Sequence, residues 1–166
     1  MLGIFFMIII LMGVSGSGKS VIGIELSKER DWPFYDADDF HTEASKKKMH
    51  AGIPLNDEDR LPWLNALADL IQKHVELEEH MILACSALKE SYRITLNVHP
   101  SCKFVYLKGS FELIKKRMEN RKGHFFNPEL LQSQFDTLEE PTDCLVVDVD
   151  GTVEGIVKTI REKLKV

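Results

Sequence analysis

Residues 13–20 read Gly-Val-Ser-Gly-Ser-Gly-Lys-Ser, which fits G-x-x-x-x-G-K-[ST]. An apolar run precedes the motif and a helical pattern follows it, the setting a phosphate loop needs. Glycines at 13, 16 and 18 let the backbone wrap a phosphate and turn several N–H groups inward. The helix that follows adds its positive end. The expected nucleotide-binding residues are therefore Gly13, Ser15, Gly16, Ser17, Gly18, Lys19 and Ser20. Lys19 is expected to reach the β- and γ-phosphates of ATP and so to act in catalysis, and the Ser20 hydroxyl to ligate Mg²⁺. The motif implies a nucleoside triphosphate and leaves open what is done with its phosphate.

A second cluster follows at Asp36-Ala37-Asp38-Asp39-Phe40-His41. Three acids in four residues repel one another, so they make little sense as a stability device, although an acidic helix start remains an alternative, most of all for Asp39. In the functional reading Asp36 holds Mg²⁺ through water. Asp38 accepts a hydrogen bond from an acceptor hydroxyl and takes its proton.

These residues need a scaffold. Apolar runs at 6–12, 33–35, 81–85, 103–107 and 144–149 predict strands. Helical spacing joins Leu64, Leu67, Ile71 and Val75, and likewise Val153, Ile156, Val157, Ile160 and Leu164. Phe111, Ile114 and Met118 follow the same period, as do Leu131, Phe135 and Leu138. Alternating strands and helices predict an α/β fold with a parallel sheet covered on both faces, and ligands beyond the carboxyl ends of its strands. The 166 residues suffice for one domain, and no linker or repeat divides them. The apolar start at 1–12 lacks a positive n-region and is too short to span a bilayer, so a buried strand is expected, with 1–6 as a ragged extension if Met7 is the start. The net charge of −5 argues against a general nucleic-acid binder, and nothing indicates a membrane partner. Three unpaired cysteines, Cys85, Cys102 and Cys144, fit a reducing, cytoplasmic setting.

The class of phosphate-loop protein narrows by elimination. A guanine-reading N-K-x-D segment is missing, and the D-x-x-G match at 148–151 lies too near the end to precede one. A large motor needs more chain. A small phosphotransferase remains, which needs a carboxylate, cationic anchors, arginines for the phosphoryl group and a cover against water.

Beyond the loop, the runs DADDFHTEASKKKMHAGIPLNDEDRLPWL from Asp36, ACSALKESYR at 84–93, FVYLKGSFELI at 104–114 and RKGHFFNPELLQSQFDTLEEP at 121–141 follow in order. Together with GVSGSGKS they resemble the gluconokinase family of shikimate-kinase-like small-molecule kinases, over nearly the whole chain. Departures are small: Val21 stands where Thr is frequent, Thr42 where Pro is common, and Asn127 precedes a single Pro128.

The resemblance implies a P-loop NTPase fold, a five-stranded parallel sheet with helices on both faces and a mobile lid. It implies one kinase domain over 1–166, with a substrate-binding flap at about 40–75 and the lid at about 121–138. It also implies transfer of the ATP γ-phosphoryl group to the 6-hydroxyl of D-gluconate, by a homodimer. Arg60, in the segment resembling the flap, has a planar fork that suits the gluconate carboxylate; a surface pair with Asp57 or Glu58 is the alternative. Lys89 and Arg93, four apart just past a strand, are expected to share a helix face towards the acceptor. Arg117 and Arg121 are expected on the nucleotide, with Arg121 bringing charge to the phosphoryl group in transfer. His41 and His124 are candidates for substrate contact, His41 alternatively as a buttress for Asp38 and His124 alternatively as a helix-capping or packing residue. Adenine is expected near Arg117 and residues 150–153; Trp63, Leu64 and Phe135 read as packing residues. Rival functions are the same chemistry on shikimate, another sugar acid or a polyol, and a non-catalytic ATP-binding module.

Overall fold

Every side chain of strand β1 (Ile8–Met12) is buried, as an unbroken apolar run requires when both faces of a sheet are covered. In the computed structural model, which describes residues 5–121 and 127–166, β1 is the centre of a five-stranded sheet. The other strands are β2 (Phe34–Asp36), β3 (Met81–Ala84), β4 (Cys102–Lys108) and β5 (Leu145–Asp148). Their order is β2-β3-β1-β4-β5, and all pairings are parallel. All five predicted strands form, with ends within two residues of expectation.

Parallel neighbours need crossovers, which the helices supply. They are α1 (Lys19–Arg30), α2 (Glu43–His50), α3 (Asp57–Glu76), α4 (Glu90–Leu96), α5 (Phe111–Glu119), α6 (Pro128–Thr137) and α7 (Val153–Leu164). Alternate residues of β1 serve opposite layers. Ile8, Ile10 and Met12 pack with Trp63, Leu64, Leu67 and Ile71 of α3 and with Tyr92 and Leu96 of α4. Ile9 and Leu11 pack with Ile22 and Leu26 of α1 and Ile156, Val157 and Ile160 of α7. Phe6, ahead of the strand, is already in the core and stacks on His99 at 5.5 Å.

A third, smaller cluster positions the site. Val14 of the phosphate loop packs with Leu88, with Ile114 of α5 and with Leu131 of α6. α6 begins cleanly because Asn127 Oδ1 accepts the N–H groups of Glu129 (3.0 Å) and Leu130 (3.4 Å), with Pro128 at the first helical position. The asparagine, a departure from the family pattern, thus acts as the helix cap. Among the described residues no helix is long and apolar enough to cross a membrane.

The chain leaves β1 towards β2 on one side, and β4 lies on the other. The crevice at the carboxyl end of β1 is therefore the topological switch point, where ligands bind in open parallel sheets.

Candidate active site

The phosphate loop fills that crevice. Gly16 has φ 79°, and a Cβ there would lie 2.8 Å from the Met118 side chain, so α5 closes directly over the loop. Gly13 has φ 149°, and a Cβ would meet the Leu107 carbonyl at 2.8 Å. The Gly13 N–H donates to the Ser86 carbonyl, tying the loop to the end of β3. Lys19 folds back over the loop, and its Nζ donates to the carbonyls of Gly13 and Val14, each at 2.9 Å. Burial lowers its pKa, against the pull of the nearby Asp38 and Asp36 carboxylates.

Opposite Lys19, the Ser20 hydroxyl donates to Asp36 Oδ2 at 2.9 Å. Asp36 Oδ1 accepts the Asp38 N–H at 3.0 Å, capping the short 3₁₀ turn Ala37–Phe40. One acid thus both starts the turn and faces the loop serine. The Asp38 side chain is 86% exposed, and its charged neighbours include Asp36, Lys19 and His41. Partial loss of solvation there and then the Asp36 charge raise its pKa, while Lys19 opposes them.

His41 backs this turn. Its ring stacks on Trp63 at 4.5 Å and 12°, its side chain is 6% exposed, and its Nε2 lies 3.9 Å from Asp38 Oδ1. Burial lowers the His41 pKa, helped by the Arg60 and Lys46 charges and opposed by Asp38. Trp63 Nε1 donates to the Ala37 carbonyl at 2.7 Å, fixing the turn on α3. Trp63 is the packing residue expected, with this anchoring bond in addition.

The flanking wall comes from the start of α3 and of α4. An Asn56–Asp59 capping box sets the first turn of α3 and so places Asp57 and Arg60. Arg60 donates to the Tyr92 hydroxyl at 3.1 Å rather than pairing with Asp57 or Glu58. The same hydroxyl donates to Asp57 Oδ1 at 2.5 Å, and Lys89 Nζ reaches that oxygen at 3.0 Å. Both cations lie 5.6 Å from the Tyr92 ring centroid. Tyr92 and Lys89 in turn hold the exposed Asp57 carboxyl below its ordinary pKa.

Arg93 departs from expectation. Lys89 is the N-cap of α4, so the two do not share a helix face. Arg93 turns inward instead and donates to the carbonyls of Ala87 (2.8 Å), Leu88 (3.2 Å) and Glu139 (2.8 Å). It is a clamp that joins the loop after β3 to the segment after α6, not a cleft residue.

On the other side of the crevice, α5 carries Arg117, half-buried, with exposed Arg121 just past its end. Met118, between them in sequence, is the residue that rests on Gly16. His124 lies outside the described residues. Sequence reasoning missed two polar contacts, Tyr92 and Gln134, the latter bonded to Ser15 of the loop. The signal for Tyr92 was available, because a tyrosine on a helix's apolar face must find its hydroxyl a partner. Gln134 carried no such signal.

The crevice therefore combines a triphosphate cradle, a serine–aspartate pair, a second carboxylate and a cationic wall. The shikimate kinase family matches residues 15–165 of the chain. The chain belongs to the shikimate kinase family. Within it, curated gluconokinases are similar along nearly their whole length. The thermoresistant gluconokinase of Escherichia coli is 45% identical, with 95% of this chain and 93% of that protein covered. A probable gluconokinase of Xenopus tropicalis is 44% identical, covering 93% and 92%. The crystal structure of a gluconokinase from Sinorhizobium meliloti matches with a TM-score of 0.85 at 38% identity, covering 96% of this chain and 95% of that one. Membership makes the chain an ATP-dependent kinase of the family's P-loop α/β fold.

Proposed function

We propose that the chain transfers the γ-phosphoryl group of ATP to the 6-hydroxyl of D-gluconate, giving 6-phosphogluconate and ADP. The observation that carries the acceptor is the near-full-length likeness to gluconokinases at 44–45% identity. The site's chemistry supports it. Lys19 leaves its loop carbonyls for the β- and γ-phosphates, which offer a stronger partner. Asp38 would take the proton of the acceptor hydroxyl, and its raised proton affinity suits that role. His41 and Trp63 keep the Asp38 turn in place. Arg60 and Lys89, gathered round Tyr92, are the anchors for the gluconate carboxylate. Arg117 and Arg121 supply charge from α5 to the phosphoryl group in transfer.

Ser20 and Asp36 fit Mg²⁺: the Ser20 hydroxyl offers a hard oxygen ligand, the Asp36 carboxylate 2.9 Å from it would hold the ion through water, and phosphates and water complete such a site. When bound, the ion neutralises phosphate charge and aligns the γ-phosphoryl group. The family resemblance further supports a homodimer in the cytoplasm, with a substrate-binding flap at about 40–75 and a lid at about 121–138, of which 122–126 lie outside the described residues and α6 packs on α5 and the phosphate loop.

The test is ADP release by the purified chain with MgATP and a panel of gluconate, shikimate, glucose, other sugar acids and nucleoside monophosphates. Turnover with gluconate alone is expected. Preference for another acceptor would sink the substrate assignment while leaving the kinase.

A further inference from the structure

α6 reaches the phosphate loop through one side chain, Gln134. The Ser15 N–H donates to Gln134 Oε1 at 2.6 Å, and Gln134 Nε2 lies 3.0 Å from Ser15 Oγ. A peptide N–H can only donate, so it fixes which end of the carboxamide is oxygen. The other end is then an NH₂, which also only donates, so Ser15 Oγ must accept from it. A hydroxyl has a single proton. With Gln134 on its lone pair, that proton points elsewhere, and among the described residues it meets no protein acceptor.

The packing holds this arrangement still. Leu131 is buried beside Val14 and Ile114, and Phe135, next to Gln134, meets Phe111 edge to face at 5.6 Å. Ser15 itself lies directly before Gly16, in the turn that α5 covers. A hydroxyl donor fixed in a phosphate loop, with no acceptor among the described residues, matches the chemistry of a phosphate oxygen.

We propose that Gln134 is a positioning residue: it aims the Ser15 hydroxyl proton at the terminal phosphate of ATP, so that the loop distinguishes ATP from ADP. The inference rests on the nucleotide site alone. A failure of gluconate as acceptor leaves it standing, and its own failure leaves the acceptor assignment intact.

Binding of MgADP and of the magnesium complex of a hydrolysis-resistant imido analogue of ATP is measured by calorimetry on the full chain, without acceptor. The readout is the ratio of the two affinities. Ser15→Ala and Gln134→Ala are each expected to reduce the preference for the triphosphate by about tenfold, the value of one hydrogen bond to a charged oxygen. Gln134→Glu separates aiming from mere stiffening. Its carboxylate still accepts the Ser15 N–H, but its second oxygen also accepts and turns the hydroxyl proton back from the phosphate. The preference is expected to fall in this variant too, and Gln134→Glu with Ser15→Ala together should match Ser15→Ala alone. An unchanged ratio in Ser15→Ala or in Gln134→Glu would overturn the proposal. So would a double variant worse than Ser15→Ala, which would place the effect in direct repulsion rather than in the hydroxyl.

Discussion

Removing one oxygen from the cationic wall tests how the acceptor is held. In Tyr92→Phe the ring stays in its core position, where the tyrosine is only 5% exposed, and the cations keep their aromatic face. What disappears is the hydroxyl that accepts from Arg60 at 3.1 Å and donates to Asp57 at 2.5 Å. Asp57 keeps Lys89 at 3.0 Å, so the main loss is the fixed position of the Arg60 fork. A hydrogen bond to a charged group contributes about 1.5–3 kcal/mol. Arg60 is half-exposed, and water replaces part of the lost bond, so about 1–1.5 kcal/mol should reach the bound acceptor, or roughly five- to tenfold. Steady-state kinetics with gluconate and MgATP varied separately should show the gluconate KM raised by about that factor, with kcat and the ATP KM within about twofold. An unchanged gluconate KM would refute the role of the wall in holding the carboxylate. An ATP KM that rose in step would show that the wall serves the loop instead.

Three other outcomes follow from the same geometry. Asp38→Asn should lower kcat by about 10²–10⁴-fold while MgATP binding, measured by calorimetry, is kept; retained turnover would remove Asp38 from proton transfer. Arg93→Met should cost about 2–5 kcal/mol in urea denaturation, because the carbonyls of Ala87, Leu88 and Glu139 lose their donors together. Arg93→Lys should recover little of it, since one ammonium cannot replace the fork, and full recovery would show that only charge matters. The melting temperature should fall from pH 7.5 to pH 5.5. Burial is the main cause lowering the pKa values of His41, His74 and His80 below the ordinary 6.5, so below that value the unfolded chain takes up more protons. Their stabilisation is complete above 6.5 and is lost as pH falls towards the folded values; a flat or rising profile would contradict this.

Much of the fold was legible because its signals are local. A short apolar run such as Ile8–Met12 that leads straight into a glycine-rich motif reads best as a buried strand, and a glycine-rich turn between strand and helix that ends in Lys19 and Ser20 is built to take a phosphate. The same locality exposed the Ser20–Asp36 pair, since Ser20 opens the helix after the loop that leaves β1, Asp36 ends β2, and the sheet brings those strand ends to one edge. Arg93 was misread for a definite reason. The four-residue spacing rule holds only when both residues lie inside one helix, and Lys89 stands at the cap with an extended backbone. The capping position turned Lys89 outward to Asp57 and left Arg93 to face the carbonyls behind the wall. Gln134 was invisible because its partner is 119 residues away and the contact depends on how α6 sits against α5.

The charges of the crevice explain why nucleotide must come before chemistry. A loop that turns its N–H groups inward gathers positive dipoles, and Lys19 adds a full charge under heavy burial. Its ammonium is held by the Gly13 and Val14 carbonyls, which satisfy its donors but carry no net charge. Asp36 and Asp38 offset that charge only from a distance, and they repel each other. In the reaction proposed above, a triphosphate with its metal would answer both strains: phosphate oxygens would give Lys19 the anion that burial demands, and a cation at Ser20 and Asp36 would relieve the pair of acids. Burial first, and then the Asp36 charge, raise the proton affinity of Asp38, and Lys19 opposes them; a cation beside Asp36 would lower that affinity, whereas phosphate oxygens that engage Lys19 would raise it.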